Sequence, residues 1–455
     1  MSVQFRLPLH LYGSERKLPG KDSEVRKVVV LNVAGLSWKS ARSADAPTIS
    51  SLGGARPMRP SFPAVTCTAQ ATLATGADPS RHGIVANGLF DRDYRKVSFW
   101  EQSSALVQAP AIWEIAGRKN PDFVSAVLFW QNIMGAGADV TLTPAPIHKA
   151  DGGMISSCYA QPAGLYEELA GKLGAFDLMS YWGPMASVKS SQWIAAAARE
   201  VFEKLSPDLL MVYLPHLDYP LQKYGPDGPE LQAELRQADA LVAEIRDWAA
   251  AGGAELVALS EYGMTNVSGA ITPNRVLREA GLLEVREVEG MELLDLHASK
   301  AFAMADHQVA HIYARKEAVH HAQAALAATD GVETILGPEE KADMGIDHPR
   351  SGELIAVSRP DKWFAYYWWQ DADRAPDFAR TVDIHRKPGY DPCELFIDPA
   401  TRSISMDTSL VKGSHGRAGE DIDNMAFFAS ESCNTSEGVI DARDVAGLLL
   451  DMIQP

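Results

Sequence analysis

Short runs of branched apolar residues, with almost no polar alternation, punctuate the first part of the chain. They are 27–36 (KVVVLNVAGL), 123–130 (FVSAVLFW), 208–215 (DLLMVYLP) and 254–260 (AELVALS). This is the pattern of strands covered on both faces of a parallel sheet. Segments 164–173, 192–204 and 229–251 instead repeat apolar side chains at intervals of three and four, which predicts helices. Strands alternating with helices predict an α/β fold, a doubly wound and mostly parallel sheet flanked by helices. Beyond Met264 the texture changes to shorter mixed pieces such as VLREAGLLEV and GELIAVSRPDKWFAYYWW. We read an inserted α+β cap subdomain at 275–380, between a main core at 1–274 and a return to that core at 381–455. The stretch 35–60 reads as a long loop, of a length that suggests it lines a site.

The chain has 455 residues, 46% of them hydrophobic and 22% charged, enough for one large domain with an insertion or for two domains. Its formal charge of -17, from 42 Lys+Arg against 59 Asp+Glu, repels the phosphates of nucleic-acid polymers and anionic lipid over most of the surface. Phosphate chemistry on such a surface calls for local cations, hence for metal ligands. Cys67, Cys158, Cys393 and Cys433 form no Cys-x-x-Cys pair and are expected as reduced thiols. The stretch 1–27 lacks the apolar run of a secretory signal, and no segment reaches ~18 uninterrupted apolar residues. The expectation is a protein without a membrane span, located in the cytoplasm.

In an open parallel sheet, ligands collect beyond the carboxyl ends of the strands. After 208–215 come His216, Asp218 and Gln222; after 254–260 come Glu261 and Tyr262. Thr66, in PSFPAVTCTAQATLATG, stands where a helix begins. A helix N-terminus receives anions on its unpaired N–H groups, so a hydroxyl there is placed to attack phosphorus. The plainer alternative is that Thr66 caps the helix.

The order of FPAVT, DPSRHGIVANG at 78–88, IW at 112–113, YLPHLDYPLQKYGP, SEYGM and GSHG resembles the alkaline phosphatase superfamily. Within it, the resemblance is to the type I phosphodiesterase and nucleotide pyrophosphatase branch, which also contains phosphonoacetate hydrolase. It implies a metal-dependent hydrolase that cleaves a phosphodiester or pyrophosphate bond of a small molecule, with Thr66 as nucleophile. It also implies two zinc ions astride the phosphoryl group, on the order of 4 Å apart.

The ligand positions depart from that pattern. Asp218 and His415 match, but Gln222 stands where a histidine is expected, Ala34 where an aspartate is, and Glu261-Tyr262 where an Asp-His pair is. Ala69 and Gln70 replace an asparagine and a histidine. The resulting set, Asp218, Gln222, His415, Glu261 and Tyr262, is rich in oxygen and suits Mg²⁺, Mn²⁺ or Ca²⁺ better than the zinc of the family. Tyr262 also offers a hydrogen bond to phosphate in place of a cation. The alternative function is a catalytically degenerate member that binds a phosphate ligand or serves in assembly. Asn32, His216, Asp306-His307, Asp347-His348 and Asp383 with His385 are further polar candidates. Arg350 and Lys362 are read as solvated cations, and the aromatic stripe 363–370 as strand core. Substrate-binding residues and oligomeric state are not legible.

Overall fold

Valine and leucine from Val28 to Leu31 leave the strand Lys27–Val33 no polar face, and it lies inside a sheet with all but its first residue buried. In the computed structural model, which describes residues 26–151, 153–419, 421–433 and 438–453, nine strands make up that sheet. The amino-terminal stretch whose lack of a signal-like run was noted above lies, up to residue 25, outside the described residues.

Five neighbouring strands run parallel, in the order Ala254–Leu259, Lys27–Val33, Leu209–Leu214, Ser125–Leu128 and Val140–Pro144. Antiparallel strands flank them, Ala426–Ser430 on one side and Cys158–Gln161 on the other. All four apolar runs are thus strands of one sheet, and the periodic segments are helices Leu165–Leu173, Val188–Leu205 and Leu231–Ala251. The last buries Leu235, Ala238, Leu241, Val242, Ile245 and Trp248, an apolar stripe at three- and four-residue spacing. The presumed loop 35–60 differs from expectation. It holds helices Trp38–Ala41 and Pro47–Ser50 and the strand Arg56–Arg59, which pairs with Ala426–Ser430. A partner so distant in sequence leaves no local periodicity to read.

A second apolar core forms around an antiparallel sheet ordered Ala301–Asp306, Val309–Ala314, Leu354–Ser358 and Val332–Leu336. It also takes in Phe90 of the hairpin Gly88–Asp91/Lys96–Phe99, whose ring lies 4.8 Å from Phe302 and 4.7 Å from Tyr313. The aromatic stripe, Trp363 to Trp369, is buried here as core. The turn His307-Gln308 joins the first two strands of this sheet. Among the described residues no helix is long and apolar enough to cross a membrane.

Candidate functional site

Lys27–Val33 pairs with both Leu209–Leu214 and Ala254–Leu259, so whatever follows these strands meets at one edge of the sheet. Asp218 opens the helix Asp218–Tyr224, and Glu261 and Tyr262 follow Ser260, whose hydroxyl donates to the Leu36 carbonyl at 2.6 Å. Thr66 is the first residue of the helix Thr66–Thr75, after the cap residue Val65, so its side chain is not spent as a cap. Its hydroxyl lies 2.9 Å from the Tyr262 hydroxyl, which donates to Asp218 Oδ1 at 3.3 Å. With the phenolic proton directed to Asp218, the Tyr262 oxygen is left to accept from Thr66. The next amide in the helix, Cys67 N–H, donates to Asn87 Oδ1 at 2.9 Å.

His415 arrives from the strand Gly413–Ser414, which pairs with Thr265–Asn266 just past Tyr262. Its Nδ1 donates to the Ala64 carbonyl at 2.7 Å, so Nε2 carries a lone pair. That atom is buried without a hydrogen-bond partner among the described residues, 3.8 Å from Asp218 Oδ1. The ring lies flat on Tyr262, with centroids 3.7 Å apart and planes 7° apart. Gln222 turns its N–H toward Asp218 Oδ2 and accepts from the Tyr390 hydroxyl on its oxygen at 2.9 Å. Glu261 Oε1 accepts from Asn32 Nδ2 at 2.9 Å and from Gln70 Nε2, whereas Oε2 is buried with no partner among the described residues.

Burial raises the carboxyls of this region: Asp218 to about 7, Asp306 to about 7 and Glu261 to about 8. The groups that oppose the rise are amides and a phenol, not Lys or Arg. Burial likewise pushes the His415 imidazole down to about 3, so it stays neutral. For Glu261, raised from an ordinary 4.5, the folded state holds the proton that the unfolded state releases. Its stabilising contribution is complete below pH 4.5 and is lost as the pH rises through about 8. Urea unfolding of the chelator-treated protein is expected to show stability falling across that window, with a shallower slope in Glu261→Gln. An equal slope in the variant would assign the pH dependence to other groups.

The structure brings Thr66, Asp218, Gln222, Glu261, Tyr262 and His415 together. Of the other candidates, Asn32 donates to Glu261 and His307 packs against His415, whereas the rest are engaged elsewhere. His216 Nδ1 is 3.0 Å from Ser191 Oγ, His348 Nε2 is 3.0 Å from Gln108 Oε1, and Asp347 pairs with Lys341 at 3.7 Å. Asp383 is ion-paired with Arg386, and the exposed His385 packs edge-on against His148. Beside them, Lys387 is buried between Asp391 at 2.8 Å and Glu394 at 2.6 Å. Lys387→Met leaves two carboxylates uncompensated, and thermal or urea unfolding should show a loss of about 3–5 kcal/mol.

Sequence reasoning did not single out Asn87 or Tyr390. Asn87 lies inside HGIVANG, a motif read only as a family mark, and also ties itself to Asp306 through N–H bonds of 2.8 and 3.0 Å. Tyr390 had no local signal; its contact with Gln222 spans the two cores.

Among the described residues, no group of three or more His, Cys, Asp and Glu is gathered as a metal would require. The donors do not fit a zinc pair: Ala34 offers a methyl, and Glu261 Oε1 is already saturated by two amides. The donors left for a single divalent cation are the bare His415 Nε2 and, 3.8 Å from it, Asp218, whose two oxygens accept from Tyr262 and Gln222.

The mostly parallel sheet, with a helix-borne threonine and Asp218 beyond its strand ends and His415 beside them, agrees with a protein of the alkaline phosphatase superfamily. The chain belongs to the type I phosphodiesterase / nucleotide pyrophosphatase family, a family of hydrolases, whose sequence model matches residues 28–391. An uncharacterized pyrophosphatase/phosphodiesterase of Schizosaccharomyces pombe is 25% identical over 215 residues, 46% of this chain. The chain covers 38% of that relative's length. Among solved structures, phosphonoacetate hydrolase from Sinorhizobium meliloti is similar with a TM-score of 0.62 at 16% identity, over 94% of this chain and 96% of that one. Murine ectonucleotide pyrophosphatase / phosphodiesterase 5 is similar with a TM-score of 0.59 at 16% identity, over 94% and 95%. These structures share the fold.

Proposed function

We propose that the chain hydrolyses a phosphodiester or pyrophosphate bond of a small molecule, with Thr66 as the nucleophile. The observation that carries this reading is the hydrogen-bonded chain from the Thr66 hydroxyl through Tyr262 to Asp218, at the N-terminus of a buried helix. Thr66 Oγ1 forms a bond to phosphorus as the bond to the leaving oxygen breaks. The threonine proton passes to the Tyr262 oxygen, and the phenolic proton passes on to Asp218. The leaving oxygen keeps the electron pair and takes a proton from solvent. Water then releases the remaining phosphoryl group from Thr66, and the relay returns the proton.

The helix N-terminus, whose Cys67 N–H is held by Asn87 Oδ1, attracts the anionic oxygens through its dipole. Asp218 and His415 would hold one divalent cation: zinc by family, or Mn²⁺, Mg²⁺ or Ca²⁺ by the oxygen-rich donors. Its chemistry is to neutralise charge on the phosphoryl oxygens. The family and the name of the yeast relative support this bond class.

A second reading, a phosphate-ligand binder without turnover, is favoured by the amides that saturate Glu261 Oε1. The full chain, loaded with each cation in turn, is mixed with a dinucleoside polyphosphate and an aryl phosphodiester and then acid-quenched. Turnover with a phosphoryl adduct on the Thr66 peptide is expected. Binding of inorganic phosphate without turnover or adduct would select the second reading.

A further inference from the structure

His307 belongs to none of the positions that the family pattern marks, yet it faces the site. Its ring centroid lies 3.6 Å from that of His415 and 3.9 Å from that of Tyr390. Tyr262, His415, His307 and Tyr390 therefore form one continuous column of rings, with His415 second in the row. Tyr262 and His415 come from the main sheet's loops, and His307 from the hairpin of the second sheet. That hairpin is anchored on both sides. Gln308 N–H donates to the His415 carbonyl at 2.8 Å, and Asp306 accepts both N–H groups of Asn87, the residue that also caps Cys67 N–H.

His307 has a left-handed conformation, φ 58°, as the first residue of the two-residue hairpin loop between Asp306 and Val309. The backbone at Gly416 shows how closely the hairpin is fitted. Gly416, directly after His415, has φ 118°, and a β-carbon there would meet Gln308 N at 3.2 Å. The turn thus sits against the His415 backbone while its side chain covers the His415 ring.

We propose that His307 is a positioning residue of this site, supplied by the second sheet, which clamps the His415 ring against Tyr262 and so aims Nε2 at Asp218. One hydrogen bond, Nδ1–H to the Ala64 carbonyl, leaves the imidazole free to swing about that contact. Tyr262 stacked flat on one side and the His307 ring in close contact, tilted by 36°, restrict that freedom. The second sheet is then part of the catalytic arrangement rather than only a wall around substrate.

This inference rests on the hydrolytic reading for its kinetic test, so two variants and two readouts separate the claims. His307→Ala removes the face, and kcat should fall roughly 10–100-fold, as for other residues that orient an active group, while KM changes less. His307→Phe keeps a ring and should restore most of the turnover. His307→Asn keeps polarity without a ring and should behave like alanine. Melting temperatures confirm that each variant is folded. Independently of activity, ¹⁵N-histidine spectra, with the His415 signals identified through His415→Gln, should show the ring broadened or moved in His307→Ala and still sharp in His307→Phe. An alanine variant with unchanged turnover and unchanged His415 signals, or a phenylalanine variant as impaired as alanine in both, overturns the clamp. A wild-type chain without turnover overturns the hydrolytic reading alone, and the ring signals then decide the clamp.

Discussion

Thr66→Ala is expected to lower kcat by about three orders of magnitude or more, the scale on which enzymes respond to loss of their nucleophile. The fold should survive. Thr66 does not cap its helix, and among the described residues its side chain makes one hydrogen bond, to Tyr262, whose net worth is about 1 kcal/mol. A melting temperature close to wild type combined with abolished turnover is therefore the expected pair of results. Thr66→Ser, which keeps the hydroxyl, should retain a measurable fraction of the rate and still form the quenched adduct. Residual activity of the alanine variant near the wild-type level would remove Thr66 from the nucleophile's role and with it the mechanism.

The second large effect is expected at Asp218. It receives the Tyr262 proton, accepts the Gln222 amide and lies 3.8 Å from the bare His415 nitrogen, so three interactions converge on one carboxyl. Asp218→Asn keeps the shape but loses the negative charge, and both cation retention and turnover should fall, the latter by about 10²-fold or more. Elemental analysis after loading with Zn²⁺, Mn²⁺ or Mg²⁺ and removal of excess reads the first effect directly. One ion per wild-type chain, absent from Asp218→Asn and from His415→Ala but retained in Glu261→Gln, is the expected pattern. Two ions per wild-type chain would mean that Glu261 serves as a ligand despite the amides on Oε1. An ion retained in Asp218→Asn would place the cation elsewhere.

The sheet strands were legible because each was an apolar run long enough to cross a sheet buried on both faces, as in 27–33 and 209–214. The strand Arg56–Arg59 was not legible, because arginine and proline carry no strand pattern and its pairing with Ala426–Ser430 is a long-range event. The same division runs through the site. Thr66, Asp218 and His415 could be named from motif order, and Glu261 and Tyr262 from their place after a strand. Their relation could not. Gln222 looked like an oxygen donor along the chain, but its oxygen accepts from Tyr390 and its N–H faces Asp218. Asn32 looked like a structural amide, and it is one of two that hold Glu261.

The sequence by itself determined the strand and helix order, the polar groups delivered to the strand ends and the departure of Ala34, Gln222 and Glu261-Tyr262 from the family's ligand pattern. These follow from local pattern and residue chemistry, which need no partner to be read. Only the tertiary structure decided that a phenol joins Thr66 to Asp218, that amides saturate Glu261 Oε1, and that a hairpin turn lays His307 on His415. Hydrogen bonds and ring stacks depend on distance and direction between segments far apart in the chain, and those are set when the two cores pack.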